Sequence, residues 1–510
     1  MGLGAFTIIN FQVIEGPQGI PGEDGQDAPD APGGLVIGIL DPDYKEEVSG
    51  NILVRALIYG SENYTVSILR NGTEIGTSLP MMWNTALVAD GWWNITIIVT
   101  DITTYEQNQD EVLVYVQNVE DSTNIYYCSS QSEIEDALDA IDTGYGTIVI
   151  TENITLSSTI NIDDGGYYII RSIGPVFIDR NANYETFYIT NLQSLILRDL
   201  IIDTSDISSS TVQGIRVDEE NDNPVYIQNV QIHGGNGRGI RVDSRNVWIE
   251  NCIIHDVNVG MFIGSAYCHI LDNSISSCVR YGIIIASGFH TISGNVVHNI
   301  GSSDGIAYGI YIASSSNTIS GNVVRDISST NGITYGIFIT SNFNTISGNV
   351  VHDISSTNGI TYGIFLTESS SNTINDNVIY AISADNNSTG GIGLSSFCDY
   401  NTISGNLVYD ISSSSGDAHG IMVGSSDLNS IISNSIHQII GSDAYGISLT
   451  VSNWNTFTSN IISYTLASSL YYGIYGSGDD NVIVGNFLRN TGTGIAVSGV
   501  GNIIDHNVVV

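Results

Sequence analysis

The sequence predicts an all-β fold: a right-handed parallel β-helix, built as a three-sheet solenoid, preceded by a small β-sandwich. Three observations lead there. A degenerate unit, NTISGNVVxDIssxxGIxYGIxI, recurs through the C-terminal two-thirds of the chain. Two markers keep its period: asparagines at 229, 251, 273 and 295 lie 22 residues apart, and those at 322, 349, 377, 406, 434, 460 and 486 continue at 26 to 29, while glycines precede a strand at 214, 239, 260, 282, 309, 336, 363, 391, 420, 446, 473 and 494. A 22-residue turn suits three short strands with tight corners, and self-similarity at that period marks stacked coils that share one core. The longer coils place their extra residues just before the glycine (SSDGIAY, SSTNGITY, SADNNSTG, SSSGDAH), so the inserts stack into a rim along one edge.

Each segment follows in order. Residues 1–15, MGLGAFTIINFQVIE, are apolar without Lys or Arg and too short for a membrane-spanning helix. They read as the remnant of an anchor or export segment, or as a strand donated to another subunit through Phe6, Ile8, Phe11 and Val13. Residues 16–34 hold four Gly-x-y triplets from Gly16 to Asp27 and a Pro-containing break, which read as a short collagen-like stalk or a trimerisation segment. Residues 35–120 change to alternating strands, LVIGIL, NILVRALIYG, NYTVSILRNGTEI, WWNITIIVTD and EVLVYVQN, with Asn71-Gly72 as a hairpin signal. Residues 121–143 form a linker and a helix over Gln131–Asp142, with Ile134, Ala137, Leu138 and Ile141 on one face and Ser132-x-x-Glu135 as a capping box. The solenoid then occupies 144–510.

Two resemblances add to this reading. The order of Val48-Ser49-Gly50, Trp83-Asn84-Thr85, Asp90-Gly91 and Asp101 resembles bacterial and archaeal immunoglobulin-like modules of surface proteins, which implies a spacer or contact domain. The helix leading into short strands, and the asparagine repeat from about Ser130 onward, resemble the NosD-like and pectin-lyase-like parallel β-helix proteins. That resemblance implies a capping helix over the first coil. It leaves lyases, hydrolases, adhesins and scaffolds open as functions.

Composition narrows the partners. The chain has 53 acids against 13 bases, a formal net charge of −40, and Lys45 as its only lysine. Nucleic acid is excluded, because phosphate binding needs clustered cations. Cys128, Cys252, Cys268, Cys278 and Cys398 show no metal spacing and read as fillers of a β core, with Cys252 and Cys278 as a pair that neighbouring coils could join. Sequons at Asn63, Asn71, Asn94, Asn153, Asn386 and Asn387 point to an extracellular or cell-surface glycoprotein.

No coil shows a complete active site. Asp479 and Asp480 have the look of a polygalacturonase-type pair, but Asp480-Asn481 also aligns with Ser316-Asn317 of an ordinary corner. Arg241 and Asp243, with Arg216, Arg238, Arg245, His255 and Asp256, form the best cluster for a polysaccharide lyase. His298, Arg325 and His352 share one slot, and the arginine between the histidines argues against a metal row. No motif requires a cofactor, while Asp218, Glu219, Glu220 and Asp222 offer oxygen ligands for Ca2+. Two positions after the marker glycines, Phe262, Ile284, Tyr311, Phe338 and Phe365 make an outward apolar row suited to a ligand or partner, or to cover by the chain's own loops. The expected function is a non-catalytic adhesive or structural protein that binds carbohydrate or cell-surface glycan, homo-oligomeric through its N-terminal segment. A secreted lyase or hydrolase and a trimeric spike are the alternatives.

Overall fold

The structure, a computed structural model, describes residues 36–510 apart from 42–46, 49–50, 60–63, 71–72, 78–80, 85–90, 102–106, 117–123, 164, 181, 219–220, 222 and 304. The chain divides into two compact units, 1–122 and 123–510. In the first, the strands Val36–Asp41, Asn51–Tyr59 and Met81–Asn84 form one sheet. A second, five-stranded sheet is centred on Gly91–Asp101 between Tyr64–Arg70 and Gln107–Val116. Ile95, Ile97 and Val99 are buried on alternate positions, as the period of a one-sided strand requires. The anchor and stalk readings of 1–34, and the sequons at Asn63 and Asn71, lie outside the described residues.

The second unit is a parallel β-solenoid. A typical coil has a first strand, Thr318–Ser320, a second, Val323–Ser329, and a third, Thr334–Ile339. First strands stack into a 16-stranded sheet, and second and third strands stack together as a 27-stranded one. Register is strict: Ile319 lies on Ile346, Val324 on Val351 and Ile337 on Ile364. All six are fully buried. The marker glycine permits this packing, since a Cβ on Gly336 would stand 2.4 Å from Val351 Cγ1 and 2.6 Å from the Gly363 carbonyl oxygen. The inserts do stack into a rim: Ser329 Oγ donates to the Gly305 carbonyl oxygen and accepts from Gly332 N–H, each at 2.8 Å, and Ser356 repeats the pattern one coil on.

The helix spans Gln131–Ile141 and buries Ile134, Ala137, Leu138 and Ile141 as expected, but its cap lies two residues earlier than the expected Ser132-x-x-Glu135 box. Ser130 is the N-cap, and Glu133 reaches back to accept from the backbone and hydroxyl of Ser129 at 2.6 and 2.9 Å. The same chemistry works in either register, and packing of the apolar face chooses this one.

Two buried asparagine ladders run along the corners of the first strand. In one, Asn322 Nδ2 donates to the Ile292 carbonyl oxygen at 2.8 Å and to Asn349 Oδ1 at 2.9 Å, and Asn349 Oδ1 also accepts Asn322 N–H at 3.0 Å. The pattern continues to Asn507. The ladder begins at Asn273, so the marker residues Asn229 and Asn251 are not part of it. They stand one position earlier, at φ of 52° and 54°, while Val230 and Cys252 fill the ladder slot. A left-handed corner accepts Asn or Gly, which is why the two places look alike in sequence. The second ladder runs from Asn317 to Asn502 and is preceded by His290, whose Nδ1 accepts from Cys268 N–H at 3.1 Å.

The cysteines are free and buried, so the Cys252–Cys278 pair does not form. Cys252 and Cys268 instead occupy ladder slots, and burial pushes each thiol up to about 12.

Two outcomes follow for stability. Replacing Asn349 by Ala strands the Asn322 N–H away from water and takes one of three acceptors from its side-chain amide, and a urea titration should show a loss of about 3 kcal/mol; a loss below roughly 0.5 kcal/mol contradicts the ladder's role. Burial also pulls His290 and His419 down to about 4 from the ordinary 6.5. The unfolded chain therefore takes up protons first, so their contribution is complete above pH 6.5 and is lost as pH falls towards 4, by up to about 3 kcal/mol each. Melting temperatures of wild type and His419→Gln measured between these limits should converge as pH falls.

Candidate functional site

A β-strand alternates its side chains between two faces, and stacked coils turn every outward slot into a column. On the third strands two columns lie side by side. The expected row, Phe262, Ile284, Tyr311, Phe338 and Phe365, is continuous in register but only half-exposed. A column that the sequence reading missed covers it: Tyr281, Tyr308, Tyr335 and Tyr362, each immediately before a marker glycine. Tyr335 stacks on Phe338 at 4.7 Å and Tyr308 on Tyr311 at 5.3 Å, leaving Tyr308, Tyr335 and Tyr362 buried. Burial pushes the Tyr308 hydroxyl up to about 12 and those of Tyr335 and Tyr362 further.

The next coil has Gly390 and Gly393, where a Cβ would stand 2.2 Å from Tyr362 Cε1 and 2.6 Å from Phe365 Cδ2. The two rings lie across those glycines, and Tyr362 Oη donates to Met422 Sδ beyond them at 3.0 Å. The row is thus a packed aromatic cluster that covers itself, not a bare platform. The Tyr-Gly-Ile pattern carried the signal.

The open concave surface is on the second strands. Asp326, Asp353 and Asp410 adopt φ of 54° to 55°, in the left-handed region, and bend each strand at the same point. Stacked bends make a groove of about 510 Å³ lined by these aspartates, by Asn299, and by Ser328, Ser355, Ser383 and Ser412. The predicted slot of His298, Arg325 and His352 forms its lip and continues into Tyr380 and Tyr409. His352, Tyr380 and Tyr409 stack nearly parallel at 4.7 and 4.9 Å. Arg325 pairs with Asp326, and His352 Nδ1 lies 2.6 Å from Asp353. Burial, and then Arg325, pull the His298 imidazole below its usual range. The groove offers hydroxyl and carboxylate acceptors beside the edges of a stacked aromatic column, a combination suited to hydroxylated ligands.

Part of the arginine cluster comes together, Arg216, Arg238, Arg241 and Asp243, while His255 pairs with Asp256 at the end of the second strand Ile253–His255. Arg216 and Arg241 are register neighbours; Arg216 lies 2.6 Å from Asp218, and Arg241 lies 2.6 Å from Asp243. Arg241 and Arg238 also face the Phe262 ring, at 5.4 and 4.6 Å. Burial and the nearby Arg241 pull Arg238 below the usual guanidinium range. Of the residues expected to offer oxygen ligands for Ca2+, Asp218 pairs with Arg216, and Glu219, Glu220 and Asp222 lie outside the described residues.

Asp479 and Asp480 are exposed and stand nine coils from Arg241, about 43 Å at ~4.8 Å per coil. Asp480 occupies the corner slot of Ser316, and Asn481 is a ladder member. Among the sequons, Asn153 and Asn386 are exposed and Asn387 is half-buried; Asn94 lies in the strand Gly91–Asp101 with its side chain outside the described residues.

The family described as Right handed beta helix region matches residues 187–351, and that described as Periplasmic copper-binding protein (NosD) matches 286–508. No curated protein matches the chain. Among solved structures, the Dettilon tailspike protein (gp208) is 16% identical, over 75% of this chain and 71% of that one, with a TM-score of 0.39. The A-module of Azotobacter vinelandii mannuronan C-5 epimerase AlgE6 is 14% identical over 76% and 96%, with a TM-score of 0.37. A tailspike protein of E. coli bacteriophage HK620 is 11% identical over 73% and 75%, with a TM-score of 0.43.

Most imidazoles of the NosD-matching segment are engaged within the chain and do not suit a shared copper ion. His290 is held in the ladder, His419 by Ser448, His437 between Ser435 and Ser463, and His352 by Asp353, while the Met422 sulfur accepts from Tyr362. Among the described residues no helix is long and apolar enough to cross a membrane.

Proposed function

We propose that this right-handed β-helix repeat protein is a non-catalytic extracellular or cell-surface scaffold that binds carbohydrate along the groove of its second strands. One observation carries the reading: a groove of about 510 Å³ lined by Asp353, Asp410 and the serine column, next to the column in which His352, Tyr380 and Tyr409 stack one residue before the bend. A sugar packed against the outer edges of Tyr380 and Tyr409 would lie beside the hydroxyl and carboxylate acceptors of the groove. The carboxylates favour sugars bearing hydroxyl or ammonium groups over polyuronates, consistent with the chain's net charge of −40. The six sequons and the acidic, lysine-poor composition support an exported location.

Glucosamine oligomers are the direct probe. Binding by calorimetry should weaken about tenfold in Tyr380→Ala and again in Tyr409→Ala, from loss of the aromatic contact; equal binding by wild type and the double variant would overturn the groove as the site.

A second reading, a polysaccharide lyase or hydrolase, draws on the cluster of Arg216, Arg241 and Asp243. Both arginines are committed to aspartates there, which supports a structural role. Incubation with polyuronates should release neither unsaturated nor reducing ends, and a product that Arg241→Ala abolishes would replace the scaffold reading with the enzymatic one. The trimeric alternative rests on residues 1–34, and sedimentation of the full chain against one lacking them distinguishes a trimer from a monomer.

A further inference from the structure

Outside the groove and the aromatic cluster, one column adds little to the fold beyond the stacking of Tyr267 on Phe289 at 5.2 Å. The residue just before each slot of the second ladder turns the corner from a third strand into the next first strand. In successive coils it is Tyr267, Phe289, Ser316, Phe343, Ser371, Tyr400, Leu428, Trp454 and Asp480, all in the left-handed region with φ between 54° and 65°. Bulky side chains carry a steric cost in that left-handed region, where Asn, Asp, Ser or Gly is accommodated more easily. Other coils use such residues at this corner, Asn246 and Gly501 among them. The fold therefore does not require rings here. Nor does the core gain from them, since Phe289, Phe343, Tyr400 and Trp454 are 53% to 64% exposed.

Their spacing is informative. From Phe289 to Trp454 a ring stands on every second coil, with Ser316, Ser371 and Leu428 between. Coils repeat at ~4.8 Å, so the rings repeat at ~9.6 Å. An extended β-1,4-linked pyranose chain turns the same ring face to one side about every 10 Å, close to this ring spacing. Two positions after the corner, the exposed threonines Thr318, Thr345 and Thr373 lie in register and add a row of hydroxyls beside the rings.

We infer that this corner column is a second carbohydrate-binding site, for a neutral, extended β-1,4-linked glycan lying along the solenoid axis with alternate sugars stacked on Phe289, Phe343, Tyr400 and Trp454. Charge separates this occupant from a second copy of the chain, because each copy carries −40 and a neutral glycan carries nothing to repel. The site deepens the carbohydrate-binding reading, and it rests on different side chains from those of the groove.

Cellohexaose and chitohexaose, titrated calorimetrically into the full chain, test it, with maltohexaose as the coiled α-linked control. One or both β-linked hexaoses should bind, and maltohexaose should not. Tyr400→Asn and Trp454→Asn keep a residue suited to the left-handed corner, so the chain stays folded, as its melting temperature will verify; each should weaken binding about tenfold. Leu428→Asn, between the rings, should change it less than twofold. Tyr380→Ala in the groove should leave hexaose binding intact while weakening glucosamine oligomers, so failure of one site is distinguishable from failure of the other. The inference is overturned if neither hexaose binds wild type, if maltohexaose binds as well as they do, or if the corner variants bind like wild type. It is also overturned if Trp454→Asn abolishes self-association in sedimentation and leaves hexaose binding unchanged, since a second copy then covers the column.

Discussion

Each coil of a solenoid turns its corners next to an apolar interior, and every backbone amide at those corners needs a partner that water cannot supply. The asparagine ladders meet this constraint. A side chain carrying both an acceptor and two donors can receive the N–H of the coil before it and return a bond to a carbonyl and to its neighbour. Asn349 does all of this within one buried slot. Where the slot holds His290, one ring nitrogen still accepts from the preceding coil, provided it is neutral. Where it holds Cys252 or Cys268, the backbone N–H still bonds to the next ladder member.

The ladders fix register, and register creates the surfaces. Because Ile337 must lie on Ile364, Phe338 must lie on Phe365 and Tyr335 on Tyr362. A residue choice repeated in sequence thus becomes a continuous physical object: a covered aromatic cluster on the third strands, a groove on the second, and an exposed row of rings at a corner. The three differ in what lies next to them. The third-strand row is covered because a tyrosine column stands beside it, the second-strand groove is open because left-handed residues bend the strand away, and the corner rings project because no adjacent strand reaches over them.

The charged groups follow the same logic on a smaller scale. Arg216 and Arg241 share a column with Phe262, and each is met by an aspartate two residues further along its own chain segment. In an acidic chain with 13 bases, these arginines are held by local partners and do not converge with Asp479 or Asp480 on one cleft.

Much of this was legible in the sequence. The repeat length, the isoleucine positions, the apolar face of the helix over Ile134 to Ile141 and the outward slot of Phe338 follow from periodicity, since a strand's faces and a helix's stripe are set by local geometry. The Arg216 and Arg241 neighbours, and the corner identity of Asp480-Asn481, followed from the same count. What periodicity does not contain is which residue of an Asn-rich corner turns inward and what covers an outward side chain. Asn229 and Asn273 look equivalent in the repeat, yet one turns the corner in a left-handed conformation and the other bonds the next coil. Phe338 points outward, and only the stacked coils place Tyr335 against it. The groove and the corner rings are likewise products of stacking, because depth and spacing arise between coils, whereas sequence alone dictates what happens within one.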